Sequence, residues 1–266
     1  MMLELLKTKL LNYPNEQARY NYLREYLQLY ILKILDEKGY FQKLAFVGGT
    51  ALRIIYDLKR FSEDLDFSLI DTKVFPAKQL AEDIARELKL INCDVTVKCK
   101  VDKTVAVIWF KFPQLLSALG LSPHQTQLLS IKMEIDQNPP QGFNTIFTVI
   151  NKEFLIAINH YDLPSLFASK LHAFLFRKYR KGRDYYDLLW YLSRKVIPNY
   201  RLLNEAIIQT QHRDLKLNAV SLKHLLEEQI NQTNFKHIAL DVEAFLEDSN
   251  ESRFFTKEFF LQALAS

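Results

Sequence analysis

The sequence predicts an α+β protein in which a mixed, antiparallel-rich sheet is flanked by helices and followed by a C-terminal helical bundle. Up to about residue 160, runs with apolar residues at every second position, typical of strands, are interspersed with amphipathic helical runs. Beyond that point the apolar residues recur at spacings of three and four, typical of helices. The 266 residues include 48% hydrophobic residues, 6 Gly and 8 Pro, the composition of an ordinary globular protein.

The elements follow from local pattern. The first helix spans 15–37, a strand at 45–47 runs into Gly48-Gly49, and a helix follows at 50–56 with Thr50 near its N-cap. A strand at 65–69 and a helix from Pro76 to about residue 88 come next. Further strands are predicted at 95–101, 105–112 and 128–136, with weaker ones at 145–150 and 155–159. Helices are predicted at 163–176, 184–193, 200–210, 221–231, 235–247 and 256–264.

The change of element type places a domain boundary near residue 160, so we expect a core at 1–160 and a helical domain at 161–266. Trp109 and Trp190 lie in apolar runs and are predicted to be core residues. Cys93 and Cys99 match no zinc or disulfide pattern, which indicates a reducing cytoplasm. The N-terminal segment lacks the uninterrupted apolar core of a signal peptide, and no run approaches the length of a membrane span, so no membrane association is expected.

The net charge of +4 is too small to indicate nucleic acid by itself, but basic residues are concentrated between Lys170 and Arg201. This basic stretch contains nine basic residues and two acidic ones. Either an anionic partner or a solvated helix-loop-helix face explains it.

Asp64 and Asp66 are two residues apart at a predicted strand, so their side chains point to the same face of the sheet. Their backbones are then about 7 Å apart, and the two carboxylates can converge on one divalent cation. A third acid on a neighbouring strand would complete the site. Glu134 fits because its strand has acids on one face and apolar residues on the other, although Asp136 shares that face. Hard oxygen ligands favour Mg²⁺ or Mn²⁺. Upstream, Gly48-Gly49-Thr50 leaves backbone N–H groups free at a helix N-terminus, where phosphate binds favourably.

Taken together, these motifs resemble the polymerase-β-like nucleotidyltransferase superfamily. More narrowly, GGTALRIIYDLKRFSEDLDFSL resembles the AbiEii/AbiGii toxin family of nucleotidyltransferases, with its GG[ST] turn followed by R-x-S-x-D-x-D. The resemblance extends to SIKMEI, LFASKLHAFLFR and GRDYYDL, and so covers roughly residues 40–195.

The resemblance implies a nucleotidyltransferase core whose active-site cleft is completed by the helical domain. Lys170 matches a lysine that meets the nucleotide phosphates, and Asp184 and Asp187 match a final acidic motif in which either residue could act. Asp187 is the better candidate because Asp184 could simply cap a helix, and a snorkelling side chain is the structural alternative for Lys170. The resemblance also assigns Arg60 and Ser62 to nucleotide contact, although both could be turn residues. The implied catalytic set is Asp64, Asp66, Glu134, Lys170 and Asp187, the implied nucleotide ligands are Gly48, Gly49, Thr50, Arg60, Ser62 and Lys170, and the implied metal ligands are Asp64, Asp66 and Glu134.

The resemblance further implies transfer of a nucleoside monophosphate from a nucleoside triphosphate to a hydroxyl of an RNA such as tRNA, helped by two divalent cations. It implies a toxin with a separately encoded antitoxin. Two alternatives stay open at this point: transfer to a small molecule or protein side chain, and a non-catalytic nucleotide-binding module. The basic stretch favours a polyanionic acceptor over a small molecule.

Overall fold

The computed structural model describes residues 2–71 and 75–265. Its strands are β1 (Leu44–Val47), β2 (Leu65–Leu69), β3 (Thr96–Val101), β4 (Val105–Phe112), β5 (Leu129–Asp136), β6 (Thr145–Asn151) and β7 (Leu155–Tyr161). Its helices are α1 (Met2–Leu10), α2 (Glu16–Glu37), α3 (Gly48–Tyr56), α4 (Ala77–Leu90), α5 (Leu115–Ala118), α6 (Leu163–Phe176), α7 (Gly182–Ser193), α8 (Tyr200–Gln211), α9 (Ala219–Asn231), α10 (Phe235–Glu243) and α11 (Lys257–Ala265).

The strands form one mixed sheet in the order β3-β4-β5-β2-β1-β7-β6. Strand β1 is antiparallel to β2, and β4 is antiparallel to both β3 and β5. Strand β2 is parallel to β5, and β1 is parallel to β7. Parallel neighbours need a long crossover connection, which α4, β3 and β4 supply between β2 and β5. The predicted α+β class with a mixed, antiparallel-rich sheet is confirmed.

The described chain divides into two compact units. The first consists of Met1–Thr50, Glu63–Asn138 and Phe147–His160, and contains most of the sheet with α1, α2 and α4. The second consists of Ala51–Ser62, Pro139–Ile146 and Tyr161–Ser266, and contains the C-terminal helices. The domain boundary expected near residue 160 stays a prediction.

In the first unit, strands β4 and β5 bury one face and leave the other accessible. Ile108, Phe110, Ile131 and Met133 are buried on the face against which α2 and α4 pack. Trp109 lies on the opposite face and is 36% exposed, so its prediction as a core residue was wrong. The apolar run around Trp109 hid an alternation in which every second side chain points away from the core. Trp190 is buried, as predicted.

The predicted helices and strands are present, with boundaries shifted by a few residues. Helix α3 begins two residues before its predicted start, directly after β1, so Thr50 lies inside the helix and does not cap it. The four-residue α5 falls in a segment expected to be a loop, because so short a helix gives no periodic signal. None of the described helices is long and apolar enough to cross a membrane.

Candidate active site

The turn between β1 and α3 is built around Gly48. Helix α3 follows β1 with no intervening residue, so the change from strand to helix falls at Gly48, whose φ of +81° favours glycine. A Cβ atom on Gly48 would lie 2.2 Å from Oδ2 of Asp66. The backbone of this turn therefore lies directly against the Asp66 carboxylate. Gly48, Gly49 and Thr50 form the first turn of α3, where the backbone N–H groups have no partner within the helix.

Thr50 has a structural task at this turn. Its side chain is fully buried, and its hydroxyl donates a hydrogen bond to the backbone carbonyl of Asp64. The bond fixes the segment that leads into β2. Contrary to the sequence prediction, Thr50 therefore does not cap α3. Its hydroxyl instead links α3 to the backbone of Asp64, a predicted metal ligand.

The carboxylates predicted to hold metal all belong to the first unit. Asp64 directly precedes β2, Asp66 lies within it, and Glu134 lies on β5. In the parallel pairing of the two strands, Asp66 and Glu134 are direct Cα partners. Both side chains are half-buried, and since partners in register share a face, they stand side by side.

Asp136 is a poorer third ligand than Glu134. Its partner in β2 is Ser68, one pleat beyond Asp66. Its Oδ1 accepts a hydrogen bond of 2.9 Å from the backbone N–H of Asn138, and burial raises the pKa of its carboxyl above the usual value. The register thus favours Glu134 among the two acids that the sequence left open.

Lys132 is a member of this group that the sequence analysis did not assign. Its Nζ lies 2.6 Å from Oε1 of Glu134. Burial alone would lower the pKa of Lys132, but the bond to Glu134 and the charges of Glu134, Asp64 and Asp66 raise it, so the ammonium stays protonated. Alternation along β5 puts Lys132 on the same face as Glu134, and this is the sequence signal that could have identified the contact.

The donors present are of the chemical type that suits a hard divalent cation. Carboxylate oxygens are the ligands that Mg²⁺ and Mn²⁺ prefer. Across residues 2–71 and 75–265, however, no three His, Cys, Asp or Glu side chains are gathered into a ready-made metal site. In the structure Glu134 is bound to Lys132. The carboxylates of Asp64 and Asp66 are ligands of the kind that such a cation prefers, and Glu134 fits once it releases Lys132.

The second unit contains a buried ion cluster around Asp187. Nε and Nη2 of Arg60 each lie 2.7 Å from one oxygen of the Asp187 carboxylate, and Nζ of Lys170 lies 2.7 Å from Oδ2. Arg60 and Asp187 are almost completely buried, whereas the Lys170 side chain is 21% exposed. Burial would raise the pKa of Asp187, but the two cations hold it below the usual value of 3.8.

This cluster holds Lys170 in place and gives Arg60 a structural role. Asp187, on α7, holds the ammonium of Lys170, on α6. The guanidinium of Arg60 is occupied by Asp187 and by the carbonyl of Phe61, 3.1 Å away. Arg60 thus secures Asp187, while its direct contact with a nucleotide stays a prediction. Ser62 lies half-buried in the segment before β2, and its predicted nucleotide contact is likewise untested.

Asp184 has a structural explanation. Its Oδ2 accepts a hydrogen bond of 3.0 Å from the backbone N–H of Lys181 at the start of α7, and it pairs with Arg177 at 2.9 Å. This is the helix-capping alternative that the sequence left open. Of the two acids in RDYYD, Asp187 is the one that holds Lys170.

Several basic residues of the basic stretch contact other groups of the same chain. The Arg180 guanidinium donates a hydrogen bond of 2.6 Å to the backbone carbonyl of Phe174. The Arg194 guanidinium lies 4.2 Å from the centre of the Trp190 ring. Arg177 is paired with Asp184 as described above. Whether the remaining cations meet an anionic partner stays a prediction.

The family model described as "Nucleotidyl transferase AbiEii toxin, Type IV TA system" matches residues 30–261. No curated protein gives a significant match.

Two crystal structures from Helicobacter pylori resemble the fold. One is of a proposed nucleotidyltransferase, 20% identical, with a TM-score of 0.53 over 91% of this chain and 95% of the other. The second is of JHP933, 18% identical, with a TM-score of 0.52 over 92% and 93% of the two chains. At these identities the likeness concerns the fold alone.

Proposed function

Because the chain belongs to the AbiEii family of nucleotidyltransferase toxins of type IV toxin–antitoxin systems, we propose that it transfers a nucleoside monophosphate from a nucleoside triphosphate to a hydroxyl group of an RNA such as tRNA. The chain is thus a nucleotidyltransferase whose family has a separately encoded antitoxin. Three further points are part of the proposal: an RNA acceptor, the use of Mg²⁺ or Mn²⁺, and action in the cytoplasm.

The observation that carries the proposal is the pairing of Asp66 with Glu134 against the Gly48 turn. Two carboxylates side by side offer ligands for a cation, and the first turn of α3 offers N–H donors for phosphate. Asp64 and Asp66 would hold the divalent cation, and Glu134 would join them after releasing Lys132. Such a cation neutralises phosphate charge and lowers the pKa of the attacking hydroxyl.

The side chains have separable tasks in the proposed reaction. The acceptor oxygen forms a bond to the α-phosphorus, the bond to the β-phosphate oxygen breaks, pyrophosphate leaves, and the hydroxyl proton passes to water. The N–H groups at Gly48 and Gly49 and the ammonium of Lys170 would hold the phosphates. Asp187 would keep Lys170 in place, with Arg60 behind it. Orientation and charge neutralisation then lower the barrier.

An in vitro transfer assay tests the reaction. The purified chain is incubated with each α-labelled nucleoside triphosphate, total cellular RNA and Mg²⁺ or Mn²⁺, and label in RNA is measured. We expect transfer that EDTA and Asp66→Asn abolish, while Asp102→Asn, at an exposed position, behaves as wild type. Label that appears only on protein or on small molecules would overturn the RNA acceptor.

A growth assay tests whether the chemistry causes toxicity. Induction of the wild-type chain in a bacterial host should arrest growth, and Asp66→Ala at equal protein level should relieve the arrest. If the Asp66→Ala chain is as toxic as wild type, nucleotidyl transfer is not the cause of toxicity.

A further inference from the structure

An aromatic and basic surface lies on the open side of the sheet in the first unit. It consists of Trp109 and the lysines next to it, and we name it the Trp109 face: Trp109, Lys98, Lys111 and Lys132. Lys98 is the Cα partner of Trp109 on β3, and Lys132 is its partner on β5. Lys111 follows two residues later on β4, and therefore points to the same side.

Two of these lysines can bind an anionic partner. Lys98 and Lys111 are exposed, and neither has an ion-pair partner within the part of the chain that the structure describes. Lys132, in contrast, is bound to Glu134 and lies 5.8 Å from the centre of the Trp109 ring. Lys98 on β3 and Lys111 on β4 therefore lie next to the Trp109 ring as exposed cations, and Lys132 lies next to it on β5, on the side of the carboxylates.

The position of Trp109 relates this surface to the carboxylates. Only β5 separates β4 from β2, so Trp109 and Asp66 stand on strands about 10 Å apart, at two strand spacings. Glu134 lies on β5 between them, one pleat from the partner of Trp109. A chain that approaches Asp66 from the β3 edge of the sheet would pass over Trp109.

We infer that the Trp109 face receives the single-stranded end of a polynucleotide acceptor, with one base stacked on Trp109 and backbone phosphates at Lys98 and Lys111. The inference rests on the proposed function, because it assigns a surface to that acceptor. An exposed aromatic ring next to exposed lysines is complementary to a base with its phosphates. Bases within a duplex already stack on each other, so a single-stranded end is the form that fits.

Binding of a short, fluorescein-labelled single-stranded RNA, followed by anisotropy, tests the inference. Trp109→Leu removes the ring but keeps an apolar side chain suited to a strand, and should weaken binding about five- to a hundredfold. Trp109→Phe should keep most of the affinity. Binding of heparin, a polyanion without bases, should be the same for Trp109→Leu and wild type. Thermal unfolding confirms that each variant is folded.

The lysines are tested with a matched pair of double variants. Lys98→Gln/Lys111→Gln should weaken RNA binding and reduce the slope of log affinity against log salt by about 1.4, measured between about 50 and about 200 mM. Lys223→Gln/Lys236→Gln removes the same charge from exposed positions on α9 and α10, outside the basic stretch, and should change little. A larger loss from the second pair, or full RNA affinity in Trp109→Leu, would overturn the inference.

Failure of this inference is distinguishable from failure of the proposed function. If RNA is labelled as well by Trp109→Leu and Lys98→Gln/Lys111→Gln as by wild type, the surface is wrong and the transfer reaction stands. If RNA binds through Trp109 but no nucleotide is transferred to any acceptor, the surface stands and the proposed function falls.

Discussion

Gly48 lies so close to Asp66 that a methyl group on its Cα would stand 2.2 Å from the carboxylate oxygen Oδ2. The glycine is thus required both by its backbone angle and by the space that the carboxylate occupies. It couples the turn that offers N–H groups to the acid that would hold the cation.

Gly48→Ala should abolish nucleotidyl transfer, because the added methyl group must displace the Asp66 carboxylate. Gly120→Ala is the matched control, since Gly120 has a similar φ of +71° but nothing within 4 Å of an added Cβ. Both changes carry a left-handed backbone cost of about 1–2 kcal/mol, which urea unfolding measures. Only the first should affect transfer. Equal loss of activity in the two variants would show that backbone strain, and not Asp66, is responsible.

Lys132→Met should tighten binding of Mn²⁺ alone by about three- to tenfold, because Glu134 is freed and a positive charge is removed from the site. The gain is modest because both side chains are partly exposed to water. Lys132→Arg keeps the charge and should bind Mn²⁺ as wild type does. Isothermal titration without nucleotide measures both, and an unchanged affinity in Lys132→Met would contradict the role of Lys132 as counter-ion.

Glu134→Gln should lower transfer much more than Asp136→Asn, since only Glu134 pairs with Asp66. Rates are compared at saturating nucleotide, and thermal unfolding is recorded for both variants. The reverse order would mean that Asp136 is the third acid.

Asp187→Asn should lower the free energy of unfolding by about 3–5 kcal/mol near neutral pH, because it leaves the buried Arg60 without its counter-charge. The pKa of Asp187 is lowered in the folded chain. Its contribution is therefore complete above the unfolded pKa, about 3.9, and is lost as the pH falls through the folded value. The difference between the two chains in urea unfolding should shrink below about pH 4. A difference that grows on acidification would contradict this assignment.

Lys170→Met should weaken binding of a nucleoside triphosphate far more than Lys178→Met, since Asp187 holds Lys170 while Lys178 is exposed. Fluorescence titration with a labelled nucleotide measures both. Stability should fall less than in Asp187→Asn, because Arg60 still pairs with Asp187. Equal nucleotide affinities in the two lysine variants would refute the assignment.

Much of this could be predicted from the sequence, because the relevant signals are local. Alternation on β5 separated Glu134 from its apolar neighbours, and the glycine pair marked the turn before α3. The ambiguity between Glu134 and Asp136 needed the register of β2 against β5, which depends on two distant segments. The same limit hid the role of Arg60, because its partner Asp187 is brought to it by packing. Lys132 was missed for another reason: its partner Glu134 lies two residues on in the same strand, and the shared face alone does not show that the two side chains bind each other. Trp109 was misassigned because an apolar run does not reveal which face of a strand is covered.

The parallel pairing of β2 with β5 also bears on how the chain is made. Asp66 leaves the ribosome long before Glu134, and α4, β3 and β4 are synthesised in between. Pairings between distant segments form late, after the loop that joins them has closed. A nascent or prematurely terminated chain that ends before β5 therefore lacks one of the two paired acids. A host that synthesises this protein is exposed to the complete carboxylate pair only after β5 has been translated and has joined the sheet.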